Sequence, residues 1–198
     1  MFNLITPKKR ADYDRELSEM FERLQLEVGP KFQDCFDHEK ANYLIFSHKK
    51  FGIIGGARLI PIDAPALTSD LIRRLQFKTK NKIWEISRIF FHVPYEKAKD
   101  EHEKSIDHIR QDFYLGMYDS LKTISIAQKI KTFVTVLDTN THQEVLKNGM
   151  WPFSKQAKIA SPYRDGEEHI VGIMPMNAEL YESFVQRRMS MDSIHLKS

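Results

Sequence analysis

The chain has 198 residues, of which 41% are hydrophobic and 29% charged, and its formal net charge is +3. This length fits one domain with a single core, and the composition is ordinary for a soluble globular protein. No apolar run approaches the roughly 20 residues of a transmembrane helix, and the N-terminus lacks the apolar core of a secretory signal. We therefore expect a cytoplasmic protein without integral membrane association.

The first half of the chain alternates helical and strand patterns. Apolar residues recur every three or four positions over the first element, and the next two are apolar runs joined by a Lys-Lys-Phe-Gly turn. The predicted elements are a helix over 11–28, an antiparallel hairpin of strands 42–47 and 52–60, a short helix over 67–77 and an apolar strand over 82–93.

The second half continues this mixture. We predict a helix over 101–129 with a capping box at Asp100 and Glu103, a strand over 132–137, and a helix to 148 with a capping box at Thr141 and Glu144. Strands over 153–160 and 169–174 and a final helix over 177–188 follow, with a frayed tail over 189–198. A hairpin together with a β-α-β crossover predicts a single α+β domain, with one central mixed twisted sheet and helices on both faces.

The sequence lacks the residue patterns that several classes of site require. Cys35 is the single cysteine, which excludes an intramolecular disulfide and a cysteine metal cluster. The eight histidines form no i,i+4 helical pair and match no zinc spacing, so we expect no metal site. The phosphate-binding P-loop and the serine-hydrolase elbow are both absent from the sequence.

Basic residues cluster late in the chain. Such a patch fits nucleic acid, a membrane surface or an acidic protein, and a merely solvated face explains it equally well. No nucleic-acid-binding motif accompanies the charges, so we expect no nucleic acid partner. The candidate patch comprises Lys122, Lys129, Lys147, Lys155 and Lys158.

The segment Trp84-Glu85-Ile86-Ser87-Arg88 is unusual because it places a carboxylate and a guanidinium in an apolar, central strand. Buried charge costs several kcal/mol unless it is paired, so an ion pair that locks the sheet is the plain structural interpretation. Strict alternation puts Glu85 and Ser87 on one face and Arg88 on the other. Glu85 and Arg88 share a site only if a β-bulge lies between them, and bulges are common beside active sites.

Further charges lie close to this segment in the predicted sheet. Arg58 is a charged residue within an apolar strand, and Asp34 and Asp37 lie three apart after the first helix. The two carboxylates have two possible partners, Arg58 or the ammonium group of a bound ligand.

The order of four motifs resembles the acyl-homoserine lactone synthases of the GNAT superfamily. The motifs are Phe36-Asp37, Tyr43-Leu44-Ile45, Gly56-x-Arg58-Leu59-x-Pro61 and Trp84-Glu85-x-Ser87-Arg88. The resemblance implies a GNAT-type fold and acyl transfer from acyl carrier protein. It also implies that Glu85 is the general base with Arg88 and Ser87 beside it, that Arg58, Asp34 and Asp37 lie near the acceptor, and that Thr135 lines the acyl chain.

The sequence departs from that family where the family holds S-adenosylmethionine. Met20, Leu26 and Phe32 stand where the lactone synthases have phenylalanine, tryptophan and glutamate. The chain is similar in this respect to the long-chain N-acyl amino acid synthases, whose N-acyltyrosine-producing members share the catalytic strand alone. This resemblance implies an amino acid acceptor, with a lactone synthase using S-adenosylmethionine as the alternative.

The expected donor is the acyl-phosphopantetheine arm of an acyl carrier protein, with no tightly bound cofactor. The stretch after the catalytic strand lacks the glycine-rich turn that cradles the coenzyme A pyrophosphate in GNAT acetyltransferases, and an acidic carrier protein complements the basic patch. Apolar residues in the predicted elements are candidates for a fatty acyl tunnel, although most such residues are ordinary core. Candidate substrate contacts are Trp84, Phe90, Phe113, Met117 and Trp151.

A catalytically silent module that binds an acyl carrier protein remains the non-enzymatic alternative. It predicts carrier binding without turnover and no effect of replacing Glu85. The enzymatic interpretation predicts that Glu85 removes a proton from the amine, directly or through water, before the amine attacks the thioester.

Overall fold

The structure is a computed structural model that describes residues 1–28, 40–62, 82–94, 98–99, 103–149, 151–160, 166, 168–177, 182 and 186. The predicted helix over 67–77, nearly all of the final helix, the capping residue Asp100, and both Asp34 and Asp37 lie outside the described residues.

Within these residues the chain forms seven strands and three α-helices. In order they are β1 (Phe2–Ile5), α1 (Asp14–Val28), β2 (Asn42–His48), β3 (Gly52–Pro61), β4 (Lys82–Phe91), α2 (Glu103–Gln128), β5 (Ile130–Asp138), α3 (Thr139–Lys147), β6 (Lys155–Ala160) and β7 (Glu168–Pro175). Two short 3-10 turns, Pro7–Lys9 and Ala11–Tyr13, precede α1. The predicted strands are confirmed to within about two residues, whereas β1 was not predicted.

All seven strands form one mixed sheet in the order β1-β2-β3-β4-β5-β7-β6. Every neighbouring pair is antiparallel except β4 and β5, which are parallel and joined by α2. The predicted α+β class, the hairpin and the β-α-β crossover are therefore confirmed. β4 is the central strand, with three strands on each side.

The helices cover both faces of this sheet. On one side, called here the α1 face, Leu17 and Met20 of α1 pack with Tyr43 and Ile60. On the other side, called the α2 face, buried residues of α2 and α3 pack with the alternate strand residues. Because successive strand residues point to opposite faces, each residue of β4 is assigned to one of these two environments.

Phe113 is the centre of the packing on the α2 face, where it is fully buried. Its ring lies 5.8, 5.5 and 5.3 Å from the rings of Phe2, Phe46 and Phe91. A Cβ at Gly55 would collide with this ring, so the glycine permits the close approach of α2 to β3. Aromatic pairs at these distances add to the free energy gained by burial alone.

The start of α3 differs from the sequence prediction. Asp138, not Thr141, is the N-cap, and its carboxylate accepts hydrogen bonds from the Thr141 amide at 2.9 Å and the Thr141 hydroxyl at 2.6 Å. The predicted capping box at Thr141 and Glu144 is wrong because the chain already turns into the helix at Thr139. A carboxylate also interacts favourably with the helix dipole at this position.

Candidate active site

The parallel strands β4 and β5 separate partway along their length. Their pairing runs from Lys82↔Ile130 to Ile86↔Thr135 and then ends. Beyond that point β4 pairs only with β3 and β5 only with β7, among the residues that the structure describes. The two strands therefore border a gap that opens toward their carboxyl ends. The edge of β4 after Ile86 presents backbone N–H and C=O groups to this gap.

A β-bulge occurs at the same place. Gly56 pairs with Phe90 and Arg58 with Ser87, so Ala57 faces two residues of β4, Arg88 and Ile89. Arg88 has a φ of 54°, in the left-handed region. Such a conformation costs about 1–3 kcal/mol in a residue other than glycine and often occurs at functional sites, although Lys129, in the turn after α2, shares it. A bulge is therefore present in this strand, but it lies after Ser87, at Arg88 and Ile89, and not between Glu85 and Arg88 as predicted.

The bulge also changes which residues share a face. Ile86 and Ile89 both join the cluster on the α2 face, and Phe90 joins the cluster on the α1 face. Strict alternation had placed Phe91, not Phe90, with Glu85. Phe90 therefore packs beside Met20 over Gly56 and is separated from the other predicted tunnel residues.

Three of the predicted site residues meet on the α1 face. Arg58 pairs with Ser87 across the sheet, and its Nε donates a hydrogen bond to Ser87 Oγ at 3.2 Å. Glu85 lies two residues before Ser87 on the same face and is diagonal to Arg58. Glu85 is fully buried, and Arg58 is 1% exposed. Arg88 is half-buried on the adjacent bulge.

The apolar candidates lie on the α2 face. Phe113 and Met117 are fully buried there, and the Trp151 indole donates a hydrogen bond to the Tyr114 carbonyl at 3.1 Å. Trp84 is half-buried against the same cluster. Thr135 pairs with Ile86 at the point where the strands separate, and its hydroxyl donates to the Gly172 carbonyl at 3.4 Å.

A cleft on the α1 face was not predicted from the sequence. It has a volume of about 400 Å³ and is lined by Arg10, Ala11, Asp14, Leu17, Ser18, Phe21 and Tyr43. The Arg10 guanidinium donates to the Ala41 carbonyl at 2.6 Å and lies 5.3 Å from the centre of the Tyr43 ring. Tyr43 pairs with Arg58, which places the cleft two strands from Ser87. Arg10 gave no sequence signal because it ends a terminal basic run.

His142 is a second residue that the sequence did not single out. It lies on α3, is 4% exposed, and stacks on Phe153 with ring centres 5.5 Å apart. Burial lowers the pKa of His142, and a hydrogen bond with the Gln156 side chain opposes this change. In the part of the chain that the structure describes, no group of three or more potential ligands is arranged to hold a metal ion.

The five lysines of the candidate patch are distributed over separate elements. Lys122 lies on α2, Lys129 lies in the turn between α2 and β5, and Lys147 ends α3. Lys155 and Lys158 belong to the edge strand β6, where Lys158 forms an ion pair with Glu168 at 2.6 Å. None of the helices within the described ranges is long and apolar enough to cross a membrane.

Solved structures named as acyl-homoserine lactone synthases and as an N-acyl amino acid synthase share this fold. The chain aligns with the CoA-dependent acyl-homoserine lactone synthase MesI at 20% identity and a TM-score of 0.60, covering 94% of each chain. It aligns with BjaI, a CoA-dependent acyl-homoserine lactone synthase solved with SAM and isopentyl-CoA, at 17% identity and a TM-score of 0.60, covering 94% of this chain and 88% of BjaI. FeeM, an N-acyl amino acid synthase from uncultured soil microbes, aligns at 11% identity and a TM-score of 0.54, covering 89% and 95%.

These likenesses define a GNAT-like acyltransferase fold. The family model for autoinducer synthases matches residues 22–184, and the chain therefore belongs to the autoinducer synthase family of acyltransferases. No curated protein matches the sequence.

Proposed function

We propose that the protein transfers a long-chain fatty acyl group from the thioester of an acyl carrier protein to the α-amine of an amino acid, with tyrosine as the favoured acceptor. The observation that carries this proposal is the position of Glu85, a fully buried carboxylate one residue before Ile86, where the pairing of β4 with β5 ends. A thioester held in the gap would present its carbonyl carbon beside Glu85.

The reaction follows from this arrangement. An amine is mostly protonated near neutral pH, so it must lose a proton before it attacks. Glu85 accepts that proton, directly or through water, and the amine nitrogen forms a bond with the thioester carbon. Backbone N–H groups on the edge of β4 after the bulge stabilise the oxyanion. The C–S bond then breaks, and the leaving thiolate takes up a proton.

In this proposal the two substrates bind on opposite faces of the sheet. The amine reaches Glu85 from the α1 face, where Arg58 and Ser87 are the proposed contributors. Asp34 and Asp37 are further proposed contacts of the amine, on the sequence resemblance alone. The acyl tail passes through the gap to the α2 face, where Thr135 borders the opening and the proposed contacts are Trp84, Phe113, Met117 and Trp151.

Arg10 is a second candidate, beside Arg58, for binding the acceptor. Arg58 is 1% exposed and its Nε donates to Ser87. Arg10 donates to the Ala41 carbonyl and lines a cleft with two aromatic rings, Phe21 and Tyr43. A guanidinium beside aromatic rings suits a ligand that carries both a carboxylate and an aromatic group.

An acyl-homoserine lactone synthase that uses S-adenosylmethionine is the second candidate function. Two similar structures, MesI and BjaI, are named as CoA-dependent synthases of this class, so acyl-CoA is also an alternative donor. Against this candidate, Leu26 and Phe32 stand where the resemblance places the tryptophan and the glutamate that hold S-adenosylmethionine in the lactone synthases.

A discharge assay distinguishes these candidates. Purified protein is incubated with acyl carrier protein or with CoA, each charged with the same long chain, and with either mixed amino acids or S-adenosylmethionine. Mass spectrometry identifies the product. We expect N-acyltyrosine from the acyl carrier protein. An acyl-homoserine lactone would establish the second candidate, and transfer from acyl-CoA alone would overturn the proposed donor.

A further inference from the structure

A compact basic surface lies at the end of the sheet opposite the gap. Lys122 and Ile126 are spaced i and i+4 on one stripe near the C-terminal end of α2, and Lys129 lies in the turn that follows the helix. Lys82 Nζ donates to the carbonyl of Gln128, the last residue of α2, at 3.0 Å. We call this surface, with Lys131, the basic tip: Lys82, Lys122, Ile126, Lys129 and Lys131.

The basic tip combines positive charge with an exposed apolar side chain. Ile126 is 70% exposed, and Lys82, Lys129 and Lys131 are also exposed. Asp119, one turn before Lys122, is the acidic residue on that part of α2. A large apolar side chain surrounded by lysines is suited to a surface that is both anionic and apolar just below its charges.

A carrier protein that bound at the basic tip would be poorly placed to deliver its acyl group to the gap. The strands β4 and β5 are paired from Lys82 to Ile86, a length of about 13 Å at 3.3 Å per residue. The gap begins only after this paired section and opens in the other direction. A carrier protein bound at the basic tip would therefore face the closed end of the strand pair.

We propose that the basic tip holds the protein reversibly on an anionic lipid surface, with Ile126 entering the boundary between headgroups and acyl chains. Clustered lysines near a membrane are attracted to anionic lipids, and the attraction weakens as salt screens it. This proposal is independent of the acyl acceptor and donor, because it rests on the lysines, the exposed isoleucine and the direction in which the gap opens.

Vesicle cosedimentation tests the proposal. The full chain is mixed with vesicles of phosphatidylcholine alone or of an equimolar mixture of phosphatidylcholine and phosphatidylglycerol, at low and high salt. We expect binding to the anionic vesicles only, weakened by salt. The double variant Lys129→Glu, Lys131→Glu should lose at least about tenfold in partitioning, and Ile126→Ser should lose less.

The matched control reverses two charges at the opposite end of the sheet, Lys49→Glu with Lys50→Glu, and should retain vesicle binding. Equal unfolding midpoints verify that all variants are folded. Equal sedimentation of the wild-type protein with both vesicle types would overturn the proposal. It would also be overturned if the tip variants lost turnover with an acyl carrier protein but not with acyl-CoA, because the tip would then be a carrier-docking surface.

Discussion

The two faces of the central sheet are built from different chemistry. On the α1 face, β3 and β4 bring Arg58, Ser87 and Glu85 together in the interior. On the α2 face, the same two strands contribute Leu59, Ile86 and Ile89 to one large apolar cluster. Because successive side chains of a strand point to opposite faces, alternation alone separates the polar site from the apolar core. The bulge at Arg88 then changes which face the following residues of β4 occupy.

The largest effect is expected at the polar face. Replacing Glu85 by Gln keeps the shape but removes the base, so turnover should fall about 10²–10⁴-fold. The measurement is initial rate with saturating acyl donor. Glu168→Gln, which removes an exposed carboxylate, is the matched control and should retain full activity. Undiminished turnover of Glu85→Gln would remove Glu85 from the reaction.

The corresponding test of the apolar face concerns stability. Phe113→Ala should lower the free energy of unfolding by about 3–5 kcal/mol, because it empties the centre of an aromatic cluster. Gly55→Ala should also destabilise the protein, since its new methyl group meets the Phe113 ring. In urea titrations the double variant should lose less than the sum of the single losses. Strict additivity would show that Gly55 and Phe113 do not interact.

The buried hydrogen bond from Arg58 to Ser87 is expected to stabilise the folded protein. Ser87→Ala leaves a buried guanidinium without this acceptor, and hydrogen bonds to charged groups are worth about 1.5–3 kcal/mol. We expect a loss of stability in that range by urea unfolding. Ser120→Ala is the control, because Ser120 donates only to the carbonyl of its own helix. A larger loss in the control would contradict the assignment.

A smaller effect is expected where α3 begins. Asp138→Ala should cost about 1 kcal/mol by removing the N-cap, while Asp138→Asn should retain most of the stability. Thermal unfolding of the two variants checks the difference. Equal losses in both would mean that the charge, and not the cap hydrogen bond to Thr141, stabilises the helix.

The smallest effect concerns the pH dependence of stability. Burial lowers the pKa of His142 in the folded state, so the unfolded chain binds more protons as the pH falls. The contribution of His142 is therefore complete above about pH 6.5 and is lost progressively below it. His142→Asn should flatten the acid side of the stability curve, and His108→Asn on the surface should not. An unchanged slope in His142→Asn would contradict the direction of the shift.

Much of this architecture followed from local patterns in the sequence. Apolar runs bounded by turn residues located β2 to β7. The condition that Glu85 and Arg88 share a site predicted a bulge between them, whereas the structure has it after Ser87, at Arg88 and Ile89. β1 was missed because its four residues are too few to establish an alternation. The face occupied by Phe90 depended on the position of the bulge within β4. The Arg10 cleft depends on strand register and on packing between residues 33 positions apart, such as Arg10 and Tyr43.

The most direct test of the central claim, that Glu85 removes the proton from the attacking amine, is the pH dependence of the rate ratio between wild-type protein and Glu85→Gln. Without the base, the reaction requires an amine that is already deprotonated, and the fraction of such amine rises tenfold per pH unit below its pKa. We predict that the rate of wild-type protein divided by the rate of Glu85→Gln falls by up to about tenfold per pH unit as the pH rises toward the pKa of the amine. A ratio that stays constant with pH would contradict this role.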